Sequence, residues 1–277
     1  PGDGVAIMPP VYHPFRQLIE KNRRTVHEAP LRIVDGHYEM DFDALDAAAA
    51  ASRLLILCSP HNPVGRVWTR AELLGMAEIA ERRNLVVLAD EIHADLVFGP
   101  NRHVPSTLLS EALCKRLIST WAPSKTFNMA GLQVSYILVP DQGLRKAFTD
   151  ETEAAGIGTP NCLGVAAAEA AYRHGGPWLD ALLLYLHANY THLKDALAQK
   201  TPGLEVYPCE GTYLAWVDFK GVGLQGNVHK VLLEKAGLWL DAGSRFGSGG
   251  EGFARLNFGC PRSTMDEAIA RLTQAFS

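Results

Sequence analysis

Three polar segments follow apolar runs in this 277-residue chain, and each carries a side chain with chemistry to offer. Ser59-Pro60-His61-Asn62-Pro63-Val64-Gly65 follows the run 53–58. Asp90-Glu91-Ile92-His93 follows 85–89, and Trp121-Ala122-Pro123-Ser124-Lys125-Thr126-Phe127-Asn128 follows 116–120. Ligands of open α/β sheets bind beyond the carboxyl ends of the strands, so with these strands as close neighbours Asn62, Asp90 and Lys125 face one crevice. A lysine in a partly desolvated cleft can lose its proton and attack a carbonyl carbon. A buried aspartate beside it suits a partner that carries a permanent positive charge. Taken singly, each residue has a plainer explanation: Asn-Pro initiates turns, an Asp closing a strand caps the next turn, and Ser-Lys-Thr is commonly solvated surface. The combination is what points to chemistry.

The elements that must position these residues alternate. The runs 5–8, 53–58, 85–89, 116–120 and 134–139 read as strands, and several are continuously apolar, as strands buried on both faces are. Helices are predicted over 12–23, over an Ala-rich stretch capped by Asp41 or Asp43, and over 70–83 behind a Thr69 cap. Asp35-Gly36 marks a turn between two short extended runs. This rhythm predicts an α/β domain with a largely parallel sheet. After Pro140 come three helices (141–154, 163–174 and 177–199). Short strands at 204–207, 213–219, 238–240 and 254–258 follow, with helices at 227–236 and 264–276. The expected division is a large domain over residues 1–175, then a connecting helix and smaller α+β domain over 176–277.

Composition narrows the class of function. With 47% hydrophobic and 20% charged residues the chain is neither disordered nor low-complexity. A net charge of −4 gives no electrostatic footprint for nucleic acid or an anionic membrane. The five cysteines are odd in number, scattered, and never in a Cys-x-x-Cys pair, so neither a disulfide framework nor a zinc site is expected, and the expected location is the cytoplasm. No apolar run is long enough to span a bilayer. Gly247-Ser248-Gly249-Gly250-Glu251-Gly252 satisfies G-x-G-x-x-G but leads into a predicted strand with no βαβ context, so it is read as a loop near Arg255.

A pyridoxal 5′-phosphate site needs both a lysine and a carboxylate for the ring nitrogen. Five segments in order resemble the fold-type I, class I/II aminotransferase superfamily, and within it the branch of cystathionine β-lyase-type carbon–sulfur lyases. They are Pro9-Pro10-Val11-Tyr12-His13-Pro14-Phe15, His61-Asn62-Pro63-Val64-Gly65, Asp90-Glu91-Ile92-His93-Ala94-Asp95, Ser124-Lys125-Thr126-Phe127-Asn128-Met129-Ala130-Gly131 and Arg255-Leu256-Asn257-Phe258-Gly259-Cys260-Pro261-Arg262. The resemblance runs along essentially the whole chain. It implies a three-layer large domain of the PLP-dependent transferase type with a smaller α+β domain.

By the same resemblance Lys125 is the Schiff-base lysine and general base, and Asp90 the partner of the pyridine nitrogen. Asn62 bonds the cofactor 3′-oxygen, Tyr12 stacks on its ring, and His93 stands where aminotransferases usually have Tyr. Arg255 forks onto the substrate carboxylate. Where the family often has a phosphate-binding Ser three residues before the lysine, this chain has Ala122, and Ser124 is the nearby hydroxyl. The expected activity is β-elimination on a sulfur-containing L-amino acid, giving thiol, keto acid and ammonia. The alternatives are an aminotransferase and a non-catalytic PLP-fold sensor module. The expected partners are a small amino-acid substrate and, in the full-length protein, a second copy in a homodimer. The glycine-containing phosphate turn of the family precedes the first of these segments, so the chain is expected to lack an N-terminal portion and to retain the cofactor weakly.

Overall fold

A computed structural model describes residues 1–224 and 228–276. The predicted helix start at Asn227 and the terminal Ser277 lie outside the described residues. Strands are β1 (Gly4–Ile7), β2 (Thr25–Glu28), β3 (Arg32–Val34), β4 (His37–Glu39), β5 (Leu54–Cys58), β6 (Val86–Asp90), β7 (Leu117–Trp121) and β8 (Tyr136–Leu138) in the first part of the chain. β9 (Glu205–Val206), β10 (Leu214–Asp218), β11 (Asp241–Ala242) and β12 (Phe253–Asn257) follow.

The large sheet has the order β2-β1-β5-β6-β7-β8. Its first five strands pair in parallel, and β8 closes the edge antiparallel to β7. β5 shows why its sequence is apolar throughout. Leu55 and Leu57 face a core shared with Leu45, Leu73 and Met76, from the helices Phe42–Ala50 and Arg70–Arg82. Ile56 and Cys58 face the opposite cluster, with Phe15 and Ile19 of the helix Pro14–Lys21. Alternate residues thus serve two helix layers, the α/β arrangement read from the sequence. The register sets Cys58 opposite Asp90 and Asp90 opposite Thr120, which brings the three polar segments to one end of the sheet.

Local signals act as expected. Asp41 accepts from Ala44 N at 3.0 Å, and Thr69 and Glu72 form a reciprocal capping box. Asp35 and Gly36 both take positive φ (49° and 77°) between β3 and β4, as a two-residue hairpin turn that follows strand twist demands.

The C-terminal sheet, β11-β12-β10-β9, is antiparallel. It packs with the helices Gly176–Lys200 and Arg262–Phe276 through Leu193, Leu197, Val217, Phe219, Ile269 and Leu272. Two boundaries differ from the sequence reading. The first helix starts at Pro14 rather than at residue 12, which frees Tyr12 for the loop after β1. Residues 238–240 are not a strand. Leu238 N donates to Leu232 O and Leu240 O accepts from His229 Nδ1, so their backbone groups serve the preceding helical segment, and the strand partners of β12 are Asp241 and Ala242.

Candidate active site

A cavity of about 200 Å³ lies where the carboxyl ends of β1, β5, β6 and β7 meet the C-terminal sheet. Tyr12, Asn62, Asp90, His93, Lys125 and Arg255 all line it. Ser124 does not; it lines an adjoining cavity of about 340 Å³, which shares Lys125, Tyr213 and Asn257 with the first. Its neighbour in the chain turns inward because the helix Pro123–Thr126 is a single turn, started by Pro123 and tied down by Thr126 Oγ1 donating to Asp95 at 2.8 Å.

Asp90 keeps part of its surface toward the cavity and is otherwise enclosed. Its carboxylate accepts only a long bond from Ile92 N at 3.4 Å among the bonds described. Burial pushes its pKa up to about 6; the Ile92 N–H and Lys125 pull it down, and the neighbouring Glu91 charge pushes it further up. Glu91, one residue on, points to the other side of the strand end and is fully buried. It accepts from His103 Nε2 (2.9 Å), Ser106 N (3.0 Å), Ser106 Oγ (3.3 Å) and Ser119 Oγ. This satisfied carboxylate pins the loop after β6 and leaves its under-satisfied neighbour facing the cavity.

His93 is buried, and its Nδ1 has no partner among the described residues. Burial first, then the nearby charges of Lys125 and Arg255, lower its pKa to about 3, so the imidazole is neutral. Asn62 sits on a turn closed by the His61–Arg66 bridge. His61 Nε2 donates to Pro10 O at 3.0 Å, which fastens the Tyr12 segment to the Asn62 turn. Arg66 anchors the same turn by donating to Glu210 (2.8 Å), Glu72 (3.0 Å) and Tyr38 O (2.5 Å). Across the cleft, Arg255 donates to Asn62 Oδ1 at 2.9 Å and to Asp241 Oδ2 at 2.5 Å, above the Phe246 ring.

The donor set suits a flat, cationic heteroaromatic ring that also bears an aldehyde. A buried carboxylate short of hydrogen-bond donors fits a ring N–H⁺, an amine fits a carbonyl carbon, and an unpartnered imidazole nitrogen and an amide fit ring substituents. Sequence reasoning missed Cys58, Tyr213, Asn257 and Asp241. Asn257 was within reach, because two residues beyond Arg255 on one strand share a face. Tyr213 and Asp241 come from across the second sheet, and no local spacing signals them.

Comparison with known proteins places the chain among relatives. The model of the family described as aminotransferase class I and II matches residues 1–272. Cystathionine β-lyase PatB of Bacillus subtilis (strain 168) is 40% identical over 280 residues, covering 100% of this chain and 72% of its own length. Protein MalY of Escherichia coli (strain K12) is 36% identical over 278 residues, covering 99% of this chain and 70% of its own. Among solved structures, cystalysin from Treponema denticola, which contains pyridoxal 5′-phosphate, superposes with a TM-score of 0.95 at 37% identity, covering 99% of this chain and 71% of that one.

Proposed function

The chain belongs to the class I and II aminotransferase family, and from that premise we propose that it is a pyridoxal-phosphate-dependent carbon–sulfur β-lyase acting on sulfur-containing L-amino acids such as cystathionine. One observation carries the reading. Lys125, Asp90, Asn62 and Arg255 converge on one cavity in a chain related over its whole length to a cystathionine β-lyase.

Bound pyridoxal phosphate supplies an aldehyde that condenses with amines and a protonated ring that takes up electrons from the substrate Cα. Lys125 would be the residue that holds the cofactor through its aldehyde, and its amine, when free, would take the substrate Cα proton as general base. Asp90 would accept from the ring N–H and keep that proton in place, a partner that would favour the carboxylate form that burial disfavours. Asn62 and His93 would offer donors to the ring substituents, and Tyr12, which lines the same cavity, would pack against the ring. Arg255 forks onto the α-carboxylate, a task its planar guanidinium suits better than lysine. The net reaction breaks Cβ–S, takes up water, and releases thiol, 2-keto acid and ammonia.

In the same proposal the enzyme works as a homodimer in the cytoplasm. The five free cysteines fit a reducing compartment, and no helix among the described residues is long and apolar enough to cross a membrane. Incubation with L-cystathionine and added pyridoxal phosphate should yield 2-keto acid and ammonia in equal amounts, and Lys125→Ala should abolish both together with the yellow absorbance of bound cofactor. Rapid amino transfer to 2-oxoglutarate without keto acid from cystathionine would replace this reading with an aminotransferase.

A further inference from the structure

Arg255 lies directly opposite Asp241 in the β11–β12 register, so the two side chains share one face of the C-terminal sheet. Asp241 Oδ2 accepts from Arg255 Nη2 at 2.5 Å, while its Oδ1 accepts from Arg245 Nη1 at 2.8 Å. One carboxylate therefore bridges two guanidiniums. Arg255 is mostly buried, whereas Arg245 is half-exposed. With Asn62 taking Nη1, each terminal nitrogen of the Arg255 fork has one N–H committed to the chain's own acceptors. Three of its five N–H groups remain for an incoming carboxylate. An aspartate this close to a carboxylate-binding arginine would oppose the incoming anion unless its charge were balanced. Two cations around one anion leave one net positive charge, which matches a single carboxylate.

We propose that Asp241 is a positioning residue for substrate-carboxylate recognition. It fixes the plane of the Arg255 guanidinium through the strand register, and Arg245 balances its charge so that the site still attracts an anion. The inference rests on the reading that Arg255 takes the substrate α-carboxylate. It differs from a general stabilising role because it concerns affinity for a carboxylate and leaves bond breaking untouched.

The test uses the cofactor-loaded enzyme, with kcat and KM for L-cystathionine and calorimetric binding of propionate as an unreactive carboxylate. Asp241→Ala should raise KM and the propionate Kd by about tenfold and leave kcat within about twofold, the signature of lost ground-state binding. Asp241→Asn should fall between wild type and Asp241→Ala, because the amide oxygen still accepts from Arg255. The double variant Asp241→Ala/Arg245→Ala restores the charge balance but not the orientation, and should remain as impaired as Asp241→Ala. A lower KM and propionate Kd in Asp241→Ala, the result expected if Asp241 only offset positive charge, would overturn the inference. Unchanged KM and Kd in Asp241→Ala, with both raised in Arg255→Ala, would also overturn it. Unchanged values in Arg255→Ala itself would sink the reading beneath it.

Discussion

At the scale of single residues, burial sets the protonation of Asp90 and His93 in the site and of His61 beside it, and their effects on stability oppose one another. Asp90 titrates near pH 6 when folded, against an ordinary carboxylate value near 4, so the folded chain binds more protons than the unfolded one between those limits. Its contribution is most favourable below pH 4 and is lost as pH rises through 6. Asp90→Asn should therefore stabilise the cofactor-free protein at pH 7, by at most about 3 kcal/mol, and have little effect at pH 4. Urea titrations of both proteins at the two pH values check this; equal differences at both would sink it. His61, at about 4, and His93, at about 3, work the other way. Each is buried neutral and must charge on unfolding as pH falls below the ordinary histidine value, so their contribution is complete above about pH 6.5 and lost in acid. With two histidines against one aspartate, net stability should fall as pH drops from 6.5 to 4, and replacing both with Gln should reverse that slope by leaving the Asp90 contribution alone.

At the scale of elements, the turn that carries Asn62 depends on side chains far from it in sequence. Arg66 is held by Glu72, which also belongs to the capping box, and by Glu210, which also accepts from Val67 N at 2.8 Å. Removing one partner of a largely buried ion pair leaves uncompensated charge, so Arg66→Ala should cost about 3 kcal/mol, read as a lower urea midpoint. A loss below about 0.5 kcal/mol would show that the carboxylates are satisfied without it. Thr69→Ala, which removes the cap alone, should cost about 1 kcal/mol. These elements also show what the sequence could reveal. The Thr69 cap, the Asp35-Gly36 turn and the apolar runs of β5 and β6 are governed by neighbours within a few residues and were legible. So was the convergence of Asn62, Asp90 and Lys125, because strand ends in a parallel sheet gather on one side. The Asp241–Arg255 pairing was not: β11 is two residues long, and its place is set by backbone groups of 238–240 turning back to the helix before them. Ser124 lines the adjoining cavity, which Lys125 lines as well, and its part in holding the cofactor remains our proposal.

At the scale of the whole molecule, residues 1–175 and 176–277 remain our proposed division, yet side chains cross it in both directions. Tyr207, Trp216, Phe246 and Phe253 join the core of the large sheet, and Trp216 Nε1 donates to Tyr38 Oη at 3.0 Å. Leu96 and Phe98 join the core of the C-terminal sheet, and Val97 bridges to Gly211. The active-site cleft lies along this shared seam, so its two walls are held at fixed spacing by common packing. Trp216→Ala should cost about 3–5 kcal/mol and lower the thermal midpoint of both halves together. Two separated calorimetric transitions in the wild-type protein would show instead that the halves unfold independently.

The pairing of Asn62 with Arg255 spans 193 positions of chain, and that separation becomes an interval of time when the protein is made. At roughly 5–20 residues per second, Arg255 leaves the ribosome about 6 to 26 seconds after Lys125. Through that interval the nascent chain carries the amine of Lys125 and the carboxylate of Asp90 without the guanidinium proposed to select a substrate. Assembly of the site is therefore ordered by synthesis, with the chemistry laid down first and the discrimination last.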